Sequence, residues 1–406
     1  MTRRAYAAVT GAYWGFTLTD GALRMLVLLH FHALGMEAVQ LAFLFLLYEF
    51  CGILTNALGG WWAERSGLKA TLVAGLTLQV LALAALSFVQ PEWLVAFSIA
   101  YVMATQALSG VAKDLTKMSA KSAVKVLSPE GDQTGLMRWV AILTGSKNAL
   151  KGVGFFLGSV LLALLGFKSA LMAMAGGLAV VLLFVSIGTP GGLPGKGKKV
   201  SLRSVFSKSR EINLLSAARV LLFGARDVWF VVALPLFLTS VFGWSFGQTG
   251  AFMALWVIGY GFVQAVTPKI SGNEGPEHAS RATLAWGAVL TFIAIVMAGL
   301  IQFGVAPVLT IVIGLGLYGI AFAINSSLHS YLILAFSPDD EVASSVGFYY
   351  MANACGRLIG TLLSGLSYTW GGLGLSLWVS AGMLVLATLI TSRLWRLQRR
   401  MTAQSS

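Results

Sequence analysis

Of 406 residues, 57% are hydrophobic and only 11% charged, which excludes a soluble globular protein of this length and indicates a polytopic membrane protein. The formal net charge of +13 suits a nucleic-acid partner at first sight, but the basic residues cluster in short windows between apolar runs and so describe membrane topology. Cys51 and Cys355 lie far apart and inside apolar runs, so neither a disulfide framework nor a metal site is suggested.

Taken in chain order, apolar runs of spanning length give twelve predicted helices, at about 6–33, 38–62, 69–90, 93–124, 134–164, 168–188, 212–240, 246–267, 282–303, 306–335, 342–366 and 373–394. The first is long enough to span and carries Asp20 and Arg24 in its interior, so it reads as a retained helix and not a cleaved leader. Between the sixth and seventh, the stretch from Gly188 to Arg210 is rich in glycine and lysine and reads as a linker. The expected organisation is an N-terminal six-helix half at 1–190, a basic linker at 191–211, a second six-helix half at 212–394 and a tail at 395–406.

Orientation follows from lysine and arginine. Arg3, Arg4, Arg65, Lys69, the linker residues, Lys269, Arg281, Arg393, Arg396, Arg399 and Arg400 all fall on one side of an even-numbered bundle. The loops of the other side carry only Lys168, so the basic side is the cytoplasmic one and holds both termini.

The halves resemble each other. Asp20 and Asp227 are 207 apart, Ser128-Pro129-Glu130 and Ser337-Pro338-Asp339 are 209 apart, and Lys151 and Arg357 are 206 apart, as a duplicated six-helix unit requires. Gly154 and Gly158 in the fifth helix, and Gly356 and Gly360 in the eleventh, give each a small-xxx-small face.

The fifth run contains TGSKNALKGVGFFLG, with Lys147 and Lys151 four residues apart on one helical face, roughly 6 Å from each other. Each lies about 20 to 26 Å from the start of its run, and no acid occurs in that run, so the partner comes from elsewhere. An anion would serve.

After the second helix, GWWAERSGLK places Gly60, Glu64, Arg65, Gly67 and Lys69 in a pattern that resembles the loop motif of the major facilitator superfamily, with Glu64 in place of the usual aspartate. That resemblance implies a conformational latch built on these five residues; Thr267-Pro268-Lys269, at the corresponding place in the second half, does not keep the pattern. Whole stretches, Phe16 to Gly35, Ala107 to Lys125, Leu143 to Gly158 and Phe206 to Pro235, resemble the organoarsenical efflux permeases, ArsJ type, of that superfamily. The resemblance implies export of 1-arseno-3-phosphoglycerate, formed when glyceraldehyde-3-phosphate dehydrogenase uses arsenate. It also implies a bacterial inner membrane location and helices 1, 4, 7 and 10 lining a cavity.

Weighed singly, the intramembrane charges read as follows. Asp20 and Arg24, four apart, can pair with each other or meet substrate. Arg219 and Arg226 share a face of the seventh helix; Arg226, at mid-depth, is the expected ligand, whereas Arg219 is nearer the cytoplasm and snorkels. Asp227 points about 100° away and is free to meet another helix. Lys113, Lys117, Lys121 and Lys125 form a stripe beside Asp114; the inner pair either anchors or makes a ramp that concentrates anions. Arg357 offers a planar fork suited to phosphate or arsenate. Glu49 pairs with a cavity cation or carries a proton, pairing being preferred. Asn148, Asn353, Tyr349, Tyr350, Gln264, Tyr260, Asn325 and His329 supply hydrogen bonds to substrate or between helices.

The expectation is an all-helical, monomeric secondary transporter with twelve helices in two pseudo-symmetric halves, needing no cofactor or metal. Its substrate site is Lys147, Lys151, Arg226, Arg357, Arg24, Lys113, Lys117, Asn148 and Asn353, with Asp20, Glu49 and Asp227 for charge pairing or coupling. An organic phosphate/inorganic phosphate exchanger and a non-transporting receptor for an organic anion are the alternatives, and no nucleophile-base set suggests an enzyme.

Overall fold

The structure, a computed structural model, describes residues 3–66, 68–127, 133–188, 209–270, 275–338 and 342–405. The expected linker lies outside this set but for its last three residues, as do Ser128-Pro129-Glu130 and Asp339 of the repeat. The described chain is helical throughout: α1 (Arg3–Ala33), α2 (Ala38–Ser66), α3 (Leu68–Leu86), α4 (Val95–Leu127), α5 (Gln133–Gly188), α6 (Arg210–Phe230), α7 (Ala233–Ser240), α8 (Phe246–Ile270), α9 (Gly275–Gln302), α10 (Pro307–Ala335) and α11 (Val342–Ser405). Nine of the described helical stretches are long and apolar enough to cross a membrane.

The boundaries have local causes. Two expected helices run together as α5, which bends where Gly166 takes φ 74°, a value that costs a glycine little. Two more run together as α11, bent at Gly371 and Gly372, the latter at φ 60°. The expected helix at 212–240 is instead two, because the Pro235 ring has no N–H to donate and crowds the carbonyl one turn earlier. The amides freed there, of Val232 and Ala233, donate to Ser364 Oγ at 3.2 and 3.1 Å. Ser209 caps α6 by accepting from the Ile212 amide, with Glu211 in the first turn where the helix dipole favours an acid. The expected tail at 395–406 continues α11 to Ser405.

Contacts divide the chain into two compact units. The first is Met1–Met36, Phe43–Val200 and Trp244–Ile258; the second is Glu37–Ala42, Ser201–Gly243 and Gly259–Ser406. Each unit thus borrows a short segment from the other sequence half. Gly250 of α8 lies against Ser159 of α5 in the first unit, and Gly365 of α11 lies against Ala38 and Ala42 of α2 in the second.

Each unit is built around one glycine-mediated helix pair. In the first, a Cβ on Gly154 of α5 would stand 2.5 Å from the Leu18 carbonyl of α1, and one on Gly158 would collide with that of Ala22. In the second, a Cβ on Gly360 of α11 would stand 2.5 Å from the Gly224 carbonyl of α6. Leu18 and Gly224 are 206 apart, as are Gly154 and Gly360, so one packing solution is used twice. This register aligns Asp227 with Gly21, one residue from the Asp20 match suggested by sequence spacing. Lys151 and Arg357 keep their equivalence.

Buried apolar residues such as Ile212, Leu215, Ile324, Leu328 and Leu332 form a core of the second unit. Large apolar side chains including Phe184, Ile187, Phe292 and Phe303 are exposed, as lipid-facing surface requires.

Candidate functional site

In the first unit, α1, α2 and α4 assemble a charged cluster around Tyr48. Arg24 Nη2 donates to Glu49 Oε1 at 2.6 Å, both side chains being buried. Its guanidinium also lies 5.3 and 5.2 Å from the ring centroids of Phe45 and Tyr48. The Tyr48 hydroxyl donates to Asp20 Oδ1 at 2.5 Å, and its ring faces Lys113 Nζ at 4.1 Å. Asp20 therefore has a phenol as its partner and Glu49 takes the guanidinium. The intrahelical Asp20–Arg24 pair considered from sequence does not form, because α2 brings a better-placed acid.

Beside this cluster, Asp114 accepts from Thr55 Oγ1 at 2.6 Å and Asn56 Nδ2 at 3.4 Å, and Lys117 Nζ lies 3.6 Å from its Oδ1. Lys117 also reaches Asn56 Oδ1 at 3.5 Å. Thr55, Asn56 and Tyr48 were not singled out in the sequence, where nothing marks a tyrosine on α2 as facing an acid of α1 or a threonine there as facing an acid of α4. The side chains of Lys121 and Lys125 lie outside the described residues.

Along α5, Lys147 is exposed, Asn148 is half-buried, and Lys151 is half-buried with Nζ 5.7 Å from the Phe155 ring centroid. The Lys151 carbonyl packs where a Gly21 Cβ would stand, 2.7 Å away. Only glycine at 21 allows that approach. Ser146, just before the pair, accepts from Trp14 Nε1 at 2.9 Å.

In the second unit, α6 and α11 place two guanidinium groups on one carboxylate. Arg226 Nε donates to Asp227 Oδ1 at 2.7 Å and Arg357 Nε lies 3.4 Å from Oδ2. Arg226 is further surrounded by the rings of Phe223, Phe230 and Phe322 at 4.8 to 5.8 Å. Asp227 does meet another helix, as its direction on α6 suggested, but it also takes its own neighbour.

Arg219 differs from the snorkelling residue expected. It is 5% exposed and turned inward: Nε donates to Asn353 Oδ1 at 3.0 Å, and Nη1 to Ser326 Oγ and to the Ser326 carbonyl at 3.0 and 3.3 Å. Its guanidinium lies 3.8 Å from the Phe223 ring centroid and 4.8 Å from that of Tyr349. Gln264 Nε2 joins the group through Ser326 Oγ at 3.3 Å. Asn325 is used otherwise, donating to the Thr283 carbonyl at 2.8 Å.

Of the expected latch, Lys69 stands at the start of α3, whereas the surroundings of Gly60, the side chains of Glu64 and Arg65, and all of Gly67 lie outside the described residues. Among the described residues no group of three His, Cys, Asp or Glu side chains is placed to hold a metal. The chemistry these clusters offer is charge, hydrogen bonding and aromatic faces. In both units the cations outnumber the acids.

The structure is similar to solved transporters over almost its whole length. A POT family transporter in complex with a thioalcohol-conjugated peptide superposes with a TM-score of 0.74 at 15% identity, covering 98% of this chain and 97% of that one. The nucleoside transporter NupG does so with 0.74 at 17%, covering 97% and 100%. A bacterial homologue of the iron transporter ferroportin, in its inward-facing state, gives 0.69 at 16%, covering 96% and 98%. At such identities the likeness establishes the fold. No curated protein matches the sequence. The family profile described as Major Facilitator Superfamily matches residues 8–279 and 215–405, nearly the entire chain. With helices as the regular elements of the described chain, several of them apolar and of spanning length, the protein belongs to the Major Facilitator Superfamily and is a multi-pass membrane protein with a transporter fold.

Proposed function

We propose that the protein exports an anionic phosphorylated organoarsenical, 1-arseno-3-phosphoglycerate, by alternating access, and so confers arsenate resistance. The observation that carries this reading is the charge balance of the second unit. In the cluster that α6 and α11 form there, Arg219, Arg226 and Arg357 stand with the carboxylate of Asp227, the other acids of these described helices, Glu211 and Glu277, lying in the first turns of α6 and α9. An isolated charge at the bilayer centre costs roughly 2.5 to 3.5 kcal/mol on insertion scales, so such a set favours completion by an anion. Lys113, Lys117, Lys147 and Lys151 give the first unit the same sign of excess over Asp20, Glu49 and Asp114.

The choice of a phosphorylated organoarsenical rests on the sequence stretches that resemble the organoarsenical efflux permeases. The proposed topology has twelve spans: nine apolar stretches, with α5 and α11 each taken as two arms about their glycine bends, and α1 added. Both termini face the cytoplasm of a bacterial cell, the protein acts as a monomer in the inner membrane, and a glyceraldehyde-3-phosphate dehydrogenase supplies its substrate. Lys147, Lys151, Arg226, Arg357, Arg24, Lys113, Lys117, Asn148 and Asn353 are the proposed contacts.

The test is uptake of the enzymatically made arseno-ester into everted vesicles. Accumulation above vesicles lacking the protein is expected; its absence overturns the reading. Strict dependence on phosphate in the opposite compartment would instead assign exchange.

A further inference from the structure

We infer that Arg219 is an oxyanion-binding residue of the second unit, held by Asn353 and Ser326 so that its remaining amino group takes an oxygen of the transported anion. The inference rests on the proposal that the protein carries an anion, and it adds a residue which depth along α6 alone argues against.

Three features separate Arg219 from the other arginines of its unit. Its partners are all neutral: an amide oxygen, a hydroxyl, a carbonyl and two aromatic faces. Arg226 and Arg357 share Asp227, whereas among the described residues no carboxylate reaches Arg219. Second, the fork is only partly used. Nε and Nη1 are committed to Asn353 and Ser326, while Nη2, with two N–H donors, makes no hydrogen bond among the described residues. Third, two further polar atoms in the same region are buried without a hydrogen-bond partner, the Tyr349 hydroxyl and His329 Nδ1. Tyr349 already faces the guanidinium, and His329 lies on α10 three residues beyond Ser326.

A buried guanidinium fixed on two edges and stacked on two rings has lost most of its rotational freedom before any ligand arrives. Its open edge presents donors at the spacing that phosphate, arsenate or carboxylate oxygens accept. Where a carboxylate is at hand, as Glu49 is for Arg24, the charge is offset within the protein; the neutral partners of Arg219 leave its charge to be offset by a ligand.

The test uses the full-length protein in detergent, with thermal unfolding followed against increasing 3-phosphoglycerate and, separately, inorganic phosphate. The wild type is expected to be stabilised by at least one of these anions. In Arg219→Gln the half-saturating concentration should rise at least tenfold, while the melting temperature without anion stays equal or rises, because an uncompensated buried charge has been removed. Arg219→Lys keeps the charge without the fork and should fall between the two. Stabilisation of Arg219→Gln within twofold of wild type overturns this inference alone. A loss of anion-free stability in Arg219→Gln also overturns it, marking the residue as structural. A wild type indifferent to both anions overturns the anion-transport reading together with this one.

Discussion

At the scale of single residues, burial together with the charge of the partner decides what removing a charged group costs. Glu49 is 1% exposed and is the acid that Arg24 bonds. Replacing it with Gln leaves a buried guanidinium without its counter-charge, an arrangement that costs on the order of 3 kcal/mol. Glu49→Gln is therefore expected to melt several degrees below wild type, and Arg24→Met with Glu49→Leu to recover much of the difference. A single variant that melts with the wild type would show that the pair contributes nothing to stability. By contrast, Lys147 is exposed and Lys151 and Arg357 are half-buried, so their removal should spare the fold. Lys147→Ala, Lys151→Ala and Arg357→Ala are each expected to abolish arsenate resistance in cells overproducing the dehydrogenase, at unchanged protein level. Full resistance in all three would refute their assignment to the site. The basic character of these positions was legible in the sequence. The partners were not, because spacing along a helix shows which residues share a face and is silent on which neighbouring helix meets it. Arg219 is the clearest case: its depth suggested snorkelling, yet Ser326 and Asn353, more than a hundred residues away, draw it inward.

At the scale of elements, glycine contacts fix how closely helices approach. A Cβ at Gly158 would overlap the Ala22 carbonyl, whereas one at Gly176 meets nothing within 4 Å. Gly158→Ala must push α1 and α5 apart and lose packing along both, so a clear drop in melting temperature and yield is expected. Gly176→Ala should be neutral or slightly stabilising, since alanine favours a helix by about 1 kcal/mol over glycine. Equal behaviour of the two would mean that the close approach is not needed for folding. Ser364 offers another such test, because its hydroxyl receives both amides freed ahead of Pro235. Ser364→Ala strands those donors in a buried setting, at about 1 to 3 kcal/mol, and should lower the melting temperature accordingly. A wild-type melt would show that the α6–α7 break is satisfied in another way.

At the scale of the whole molecule, the sign of the substrate sets the energetics. Moving one charge across 100 mV is worth roughly 2.3 kcal/mol, so a dianion leaving a cell negative inside gains about 4.6 kcal/mol, on the order of a thousandfold in concentration. For the proposed dianion, voltage alone would suffice for export, and the energetics would not require proton coupling through Asp20, Glu49 or Asp227. In everted vesicles, uptake of the arseno-ester is expected to rise with an inside-positive potential and to persist when a pH gradient is collapsed. Uptake indifferent to voltage and abolished with the pH gradient would assign the work to protons.

By itself the sequence determined the class of molecule and its internal duplication. Both are carried by local quantities: apolar run length, the placement of lysine and arginine, and a repeat near 206 residues. Only the tertiary structure decided that Arg24 belongs to Glu49, that Asp20 belongs to Tyr48, that Asp227 serves two arginines, and that the repeat register pairs Asp227 with Gly21. Those facts depend on crossings between helices far apart in the chain. One residue of register between α1 and α5, or between α6 and α11, changes which side chain stands opposite which, and that register is set by glycines whose meaning appears only when the partner backbone is in place.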